Sequence, residues 1–360
     1  MKISLQTLLA ALLIASLPVP QAQAQATWPE RISFDGDFRL RYESIDAEGS
    51  PGRDRSRFRA RFGIAAKASE DIKLVFRLAT GDGSPVSTNL TFDDGFSAKQ
   101  IQVDRAYVDW SIDDRWNLRA GKMSMPWFRP GGTPLIWDGD LNPEGAALMW
   151  KSGPFFGSVA LMAVEERSAA DDSMLYTLQG GWEFELADGN SLTAGLSYFS
   201  YSDTVGNVPF YNGSANGNSV DLNGNYINDY RIVELFAEYK GKLGELPLTL
   251  YADFAQNSDV STEDSAFAIG ANFGSAKKPG DWQFGYAWHD TEADAVIGTY
   301  SDSDFAGGRT DSNGHFIKSK YALRDNVALG GTLILSERGA FAGDERDYDR
   351  IMLDIEFNFE

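Results

Sequence analysis

The sequence holds no cysteine, so it has no disulfide framework, no thiolate nucleophile and no cysteine-ligated metal. Histidine is nearly as scarce, with His289 and His315 the only two. A serine–histidine–acid mechanism would have to run through one of them, and no nucleophile motif surrounds either. His289 falls on the polar side of a segment whose other side is Trp282, Phe284, Tyr286 and Trp288. His315 stands beside a loop, near Asp311 and Ser312. Both read as interfacial histidines, and catalysis is not expected. Beyond the N-terminal stretch no apolar run approaches the roughly 20 residues that a membrane helix needs. Basic residues are also short, 32 against 52 acidic, a formal charge of −20. That balance argues against a nucleic-acid partner, which requires a basic surface.

The N-terminus reads as an export signal. Lys2 supplies the positive region, and Leu8 to Leu17 form an apolar stretch too short to span a bilayer as a helix. Pro18 and Pro20 break that stretch, and Ala22-Gln-Ala24 and Ala24-Gln-Ala26 both offer small-x-small cleavage sites. Residues 1–26 are therefore expected to be removed, leaving one domain over 27–360. Loss of Lys2 takes the formal charge from −20 to about −21.

What remains is alternation. In 31–43, Ile32, Phe34, Gly36, Phe38, Leu40 and Tyr42 fall on one face, and Arg31, Ser33, Asp35, Asp37, Arg39, Arg41 and Glu43 on the other. Such a period of two is the mark of a half-buried strand. Phe58, Ala60, Phe62 and Ile64 alternate with Arg57, Arg59 and Arg61, and the pattern recurs to Ile351, Leu353, Ile355, Phe357 and Phe359. About sixteen such segments are countable. Short connections (69–71, 112–115, 187–190, 324–326) alternate with long ones (81–100, 123–144, 201–230, 291–314). Short turns at one end and long loops at the other, with aromatics near strand ends, fit a transmembrane antiparallel β-barrel. A soluble propeller or solenoid would show a repeat, and none is present. The expected fold is all-β, a barrel of about 16 strands with a loop folded into its lumen and both termini at the short-turn, periplasmic end.

The polar faces carry the candidate site. Arg39, Arg41, Arg57, Arg59, Arg61, Lys73, Arg77, Arg105 and Arg119 all fall opposite apolar positions. A charged side chain facing lipid costs about 2–4 kcal/mol at the bilayer midplane, so these residues are expected to point inward. Strands lie about 4.8 Å apart, which gathers them into a pore-lining basic wall. Asp35, Asp37, Asp104 and Asp109 come from the same strands and would partly neutralise it. The wall would draw anions or orient dipolar solutes; a network of arginine–carboxylate pairs that stiffens the barrel is the alternative role.

The segment Gly121–Gly145 (GKMSMPWFRPGGTPLIWDGDLNPEG) combines four prolines with Trp127, Phe128 and Trp137. That composition implies a packed excursion, whereas 201–230, rich in Ser, Asn and Gly, reads as a floppy outer loop. The segment is expected to narrow the lumen, with Arg129, Asp138, Asp140 and Glu144 as constriction residues whose acids face the basic wall and set up a transverse field. A rigid external loop making subunit contacts is the alternative. In DLNGNYIND, Asp221, Asn223, Asn225 and Asp229 have calcium-loop spacing. Tyr226 replaces the required glycine and Ile232 the closing glutamate, so no metal is expected.

Residues 34 to 80, with FDGDFRLRYE, RDRSRFRARFG and FRLATGDGSPVSTN, together with RPGG and WDGDLNPEG in 121–145, resemble the putative porin family of Gram-negative outer membranes. The resemblance is specific over roughly the first 150 residues and generic beyond them. It implies an outer-membrane barrel with porin activity, no catalytic residues and no settled substrate. From the basic wall, small polar or anionic solutes are expected to diffuse through, with lipid around the barrel and no cofactor. A homotrimer is the expected assembly from strand number. An adhesion or receptor barrel using the long loops 201–230 and 291–314 is the alternative function.

Overall fold

The computed structural model describes residues 28–359. The expected signal segment, 1–26, lies outside them. The alternating stretches become long strands: β1 (Ile32–Ala47), β2 (Arg53–Lys67), β3 (Ile72–Thr80), β5 (Ile101–Ser111), β6 (Trp116–Lys122), β7 (Glu144–Ser152), β8 (Phe155–Glu165) and β9 (Ser173–Glu185). They continue with β10 (Ser191–Tyr201), β11 (Arg231–Leu243), β12 (Leu246–Asn257), β13 (Ser265–Gly274), β14 (Trp282–Thr291), β15 (Ser312–Arg324), β16 (Val327–Arg338) and β17 (Arg346–Phe359). The two-residue β4 (Leu90–Thr91) is an addition that pairs with β2 inside the 81–100 loop. Each long strand pairs antiparallel with the next, and β1 pairs with β17, so the sheet is a closed barrel of sixteen strands with one extra. Closure removes the unpaired edges an open sheet would present.

The faces sort by the physics of alternation. On β1, Phe38 is 38% exposed on the outer wall while Arg39 is 8% and Glu43 0% exposed on the inner one. Leu196, Leu235, Ile269 and Leu353 likewise project outward, as a lipid-facing wall requires. Turns at one end are short (112–115, 153–154, 244–245, 325–326), and loops at the other are long. At the short-turn end, aromatic side chains of neighbouring strands meet: Trp116 with Trp150, Phe155 with Trp182, and Trp282 with Tyr321. Amphipathic rings gather at that depth because one end of each is apolar and the other tolerates water.

Strict alternation fails at one place that matters. Arg77 stands opposite Arg105 and Leu78 opposite Val103, so Asp104 has no partner across the ladder. The extra residue is a β-bulge, which lets the consecutive Asp104 and Arg105 both turn inward. Simple counting with Ala106 and Val108 would have left Asp104 facing lipid.

Three long loops fill much of the interior. The 123–143 loop folds inward, and Trp127 and Trp137 pack against each other and against Phe199 of β10. The 202–230 loop is not the floppy outer loop its composition suggests: Phe210, Tyr226 and Tyr230 are buried in the same cluster. Ala295, Val296 and Ile297 of the 292–311 loop join them. Small inward residues on the wall, Ala147, Ala160, Ala255, Ala266 and Ala268, make room for this packing. No residue of either buried apolar cluster comes from β1, β2 or β3.

Candidate functional site

With the apolar filling held elsewhere, the inner face of β1–β3 is left to charge. Register brings Arg41 opposite Asp354 and Arg39 opposite Glu356 across the closing seam. Arg41 donates to both oxygens of Asp354, at 2.8 and 2.9 Å, and to Asp304 of the 292–311 loop at 2.9 Å. Arg350 of β17 contacts Asp304 at 2.8 Å and pairs with Glu43, which also holds Arg55. On β2, Arg59 and Arg61 clamp Asp37, at 2.8 and 2.6 Å. Arg77 pairs with Asp104, and Arg119 with Asp109 at 3.2 Å.

Three arginines are only loosely compensated. Arg39 lies 4.0 Å from Asp354 and donates to Asn89 Oδ1 at 2.6 Å. Arg57 lies 3.7 Å from Glu43 and donates to the Asn89 carbonyl at 3.0 Å. Arg105 donates to Asn142 Oδ1 at 2.7 Å. Arg39 and Arg57 each keep a buried Nε–H with no protein acceptor. Lys73 stands apart: it is exposed one residue from the turn, opposite Lys67, and joins no ion pair among the described residues.

The four expected constriction residues separate. Asp140 reaches the wall, 3.4 Å from Arg61 and 3.9 Å from Arg59, and also accepts from Thr88 Oγ1 at 3.1 Å. It touches the arginines directly, with no open gap across which a field would act. Asp138 turns away, accepting from the Ser303 and Asp140 amides at 2.8 and 2.7 Å. Burial, reinforced by Asp302 and Asp140, pushes its carboxyl well above the usual range. Arg129 points to the opposite side, donating to the Trp137 carbonyl at 2.9 Å. Glu144 is exposed and pairs at 2.8 Å with Lys122, whose ammonium also donates to the carbonyl of Asn142, the residue that holds Arg105.

The second acid on the wall is one that periodicity does not mark. Asp304 bridges Arg41 and Arg350 from a loop expected to lie outside. Burial alone would raise its carboxyl, but Arg350 and Arg41 outweigh that and hold it well below the ordinary range. The short apolar run Ala295–Ile297 is the sequence signal that could have shown this loop turning inward.

The tip of the 123–143 loop is seated on the far wall. Gly131 donates to Glu238 Oε2 at 2.6 Å, and its φ of 61° suits glycine. A Cβ there would lie 2.1 Å from the Tyr251 ring. Gln179 ties the loop from β9, exchanging bonds with the Phe128 amide and carbonyl at 2.7 and 2.9 Å.

The remaining candidates are held in other ways. His289 is buried between Phe305 and Phe316, with Nε2 3.4 Å from Thr133 Oγ1. His315 lies against Trp288, its Nδ1 3.0 Å from the Tyr286 hydroxyl. In the calcium-like segment Asp221 Oδ1 caps its own turn by accepting from the Asn223 and Asn225 amides. Asp229 instead accepts from Thr204 at 2.5 Å, so the oxygens do not converge.

A family model described as putative porin matches residues 46–223 and 219–359. No curated protein matches the sequence. Among solved structures, the high-pH structure of Pseudomonas putida OprB aligns with a TM-score of 0.64 at 12% identity, covering 92% of this chain and 95% of that one. A double mutant of the Rh. blastica porin aligns with a TM-score of 0.55 at 10% identity, covering 91% and 100%. A quintuple mutant of the same porin gives 0.53 at 12%, with the same coverage. At such identities the likeness concerns the fold.

Proposed function

The chain belongs to the putative porin family, and from that premise we propose that solutes cross its barrel along the arginine-bearing inner face of β1, β2 and β3. It is an outer-membrane porin, and passage of small solutes follows from the family and the closed barrel. The finer reading is that the wall of Arg39, Arg41, Arg57, Arg59, Arg61, Arg77, Arg105 and Arg119 favours small polar and anionic solutes and orients dipolar ones. Lys73, at the turn end, contributes at most to the rim. Asp140 and Asp304, each bonded to two arginines, set the width of the path, with Asp138 and Arg129 outside it and Glu144 at its edge on Lys122.

The carrying observation is the split interior: apolar side chains pack against β7–β17, while the inner face of β1–β3 presents charge, with loosely compensated Arg39 and Arg57. A solute path needs polar walls, and that face supplies charged side chains on three consecutive strands. Export through a cleaved segment 1–26 and assembly as a homotrimer in a Gram-negative outer membrane belong to the same proposal. The adhesion or receptor reading is not favoured, because the cores of the loops it would use are buried inside.

Liposome swelling tests the reading. Vesicles carrying the protein should swell in isosmotic arabinose and more slowly in larger sugars. Vesicles that do not swell in any sugar would remove the diffusion channel.

A further inference from the structure

Beneath the loop contacts lies a cavity of about 350 Å³, bounded by β1, β13–β17 and the 292–311 loop. Most of its charges are paired among themselves: Arg41 with Asp354 and Asp304, and Lys320 with Glu356 at 2.5 Å. Two are not. Lys318, whose ammonium makes one contact, 4.6 Å from the centre of the Phe316 ring, joins no ion pair among the described residues. Asp302 accepts the Asp304 amide at 2.8 Å and has no cation within ion-pair distance among them. Burial and the neighbouring Asp304 carboxylate raise the Asp302 carboxyl, and the attraction of Lys318 and Arg350 offsets this only in part. The two opposite charges share one cavity without touching. Gly285 and Gly330 take up no side-chain space beside them, and Asn272 and Gln283 offer neutral hydrogen-bonding groups.

We propose that this cavity binds a small zwitterion of the α-amino-acid class, its carboxylate on Lys318 and its ammonium on Asp302. A simple anion would meet Lys318 but also the unmatched Asp302 carboxylate, and a simple cation the reverse. Only a solute carrying both signs a few ångströms apart satisfies both groups, and each charge-assisted bond is worth more than a neutral one. The cavity volume accommodates a solute of serine size with water. The site rests on the channel reading for its access, and it turns the general preference for polar solutes into a saturable one.

The test separates binding from conduction. Calorimetric titration of the detergent-solubilised barrel with L-serine measures the site, while swelling in arabinose measures the channel. Saturable serine binding is expected in the native protein. Lys318→Gln and Asp302→Asn, both polar and of similar size, should each weaken it about tenfold or more, the loss of one charge-assisted contact. Heat-modifiable electrophoretic migration verifies that both variants remain folded barrels. Absence of serine binding to a barrel that passes arabinose overturns the site and leaves the channel standing. Acetate binding as tightly as serine, with Asp302→Asn strengthening it, also overturns it in favour of an anion site. Serine binding to a barrel that passes no arabinose supports the site and overturns the channel.

Discussion

Excising residues 126–140 is expected to raise single-channel conductance several-fold and to increase preference for anions. The excised stretch carries Trp127 and Trp137, which pack on Phe199 inside the barrel, and the Gly131 tip seated on Tyr251 and Glu238. It also carries Asp140, the carboxylate on Arg59 and Arg61. Removing it widens the interior and takes one of two carboxylates from Arg59 and Arg61, which keep Asp37. The wall survives the excision because the β6–β7 pairing, Lys122 opposite Glu144 through Trp116 opposite Trp150, lies wholly outside the removed segment. Planar-bilayer recording gives both readouts. Unchanged conductance from a folded barrel would mean that the loop does not narrow the path.

The second large effect is on charge selectivity. Replacing Arg57, Arg59 and Arg61 together by serine removes three positive charges from one strand face and leaves Asp37 and Asp140 without their clamps. Glu43 keeps Arg55 and Arg350, so the change stays local. The potential along β2 therefore moves from compensated to negative, and the reversal potential under a salt gradient should shift toward cations. The shift should shrink as ionic strength rises, since the Debye length falls from about 10 Å at 0.1 M to about 3 Å at 1 M. A reversal potential equal to that of the native protein would show that ions do not pass this face.

Much of this was legible before any coordinates. Alternation of Phe38, Leu40 and Tyr42 with Arg39 and Arg41 fixes both strand and facing, because lipid excludes charge. Proline with tryptophan in 121–145 marked the inward loop. What alternation does not reach is anything decided by packing between distant segments. The 202–230 loop is Ser-, Asn- and Gly-rich by count, yet three aromatics, Phe210, Tyr226 and Tyr230, suffice to bury it. Asp304 sits in a loop without period, so its place on Arg41 and Arg350 depends on how Ala295, Val296 and Ile297 anchor the chain around it. Asp104 is on the wall as expected, but parity alone does not put it there: a bulge adds the residue that turns it inward. Asp138 and Glu144, read together with Asp140, part from it because each found a nearer partner.

The most direct measurement uses the absence of cysteine, which leaves no background thiol. Single cysteines placed in turn at Arg57, Phe58, Arg59, Ala60, Arg61 and Phe62 are exposed to a bulky, membrane-impermeant thiosulfonate while current is recorded. Current should fall at 57, 59 and 61 and hold steady at 58, 60 and 62. Block at the even positions, or silence at all six in a conducting barrel, would contradict a water path enclosed by the arginine face.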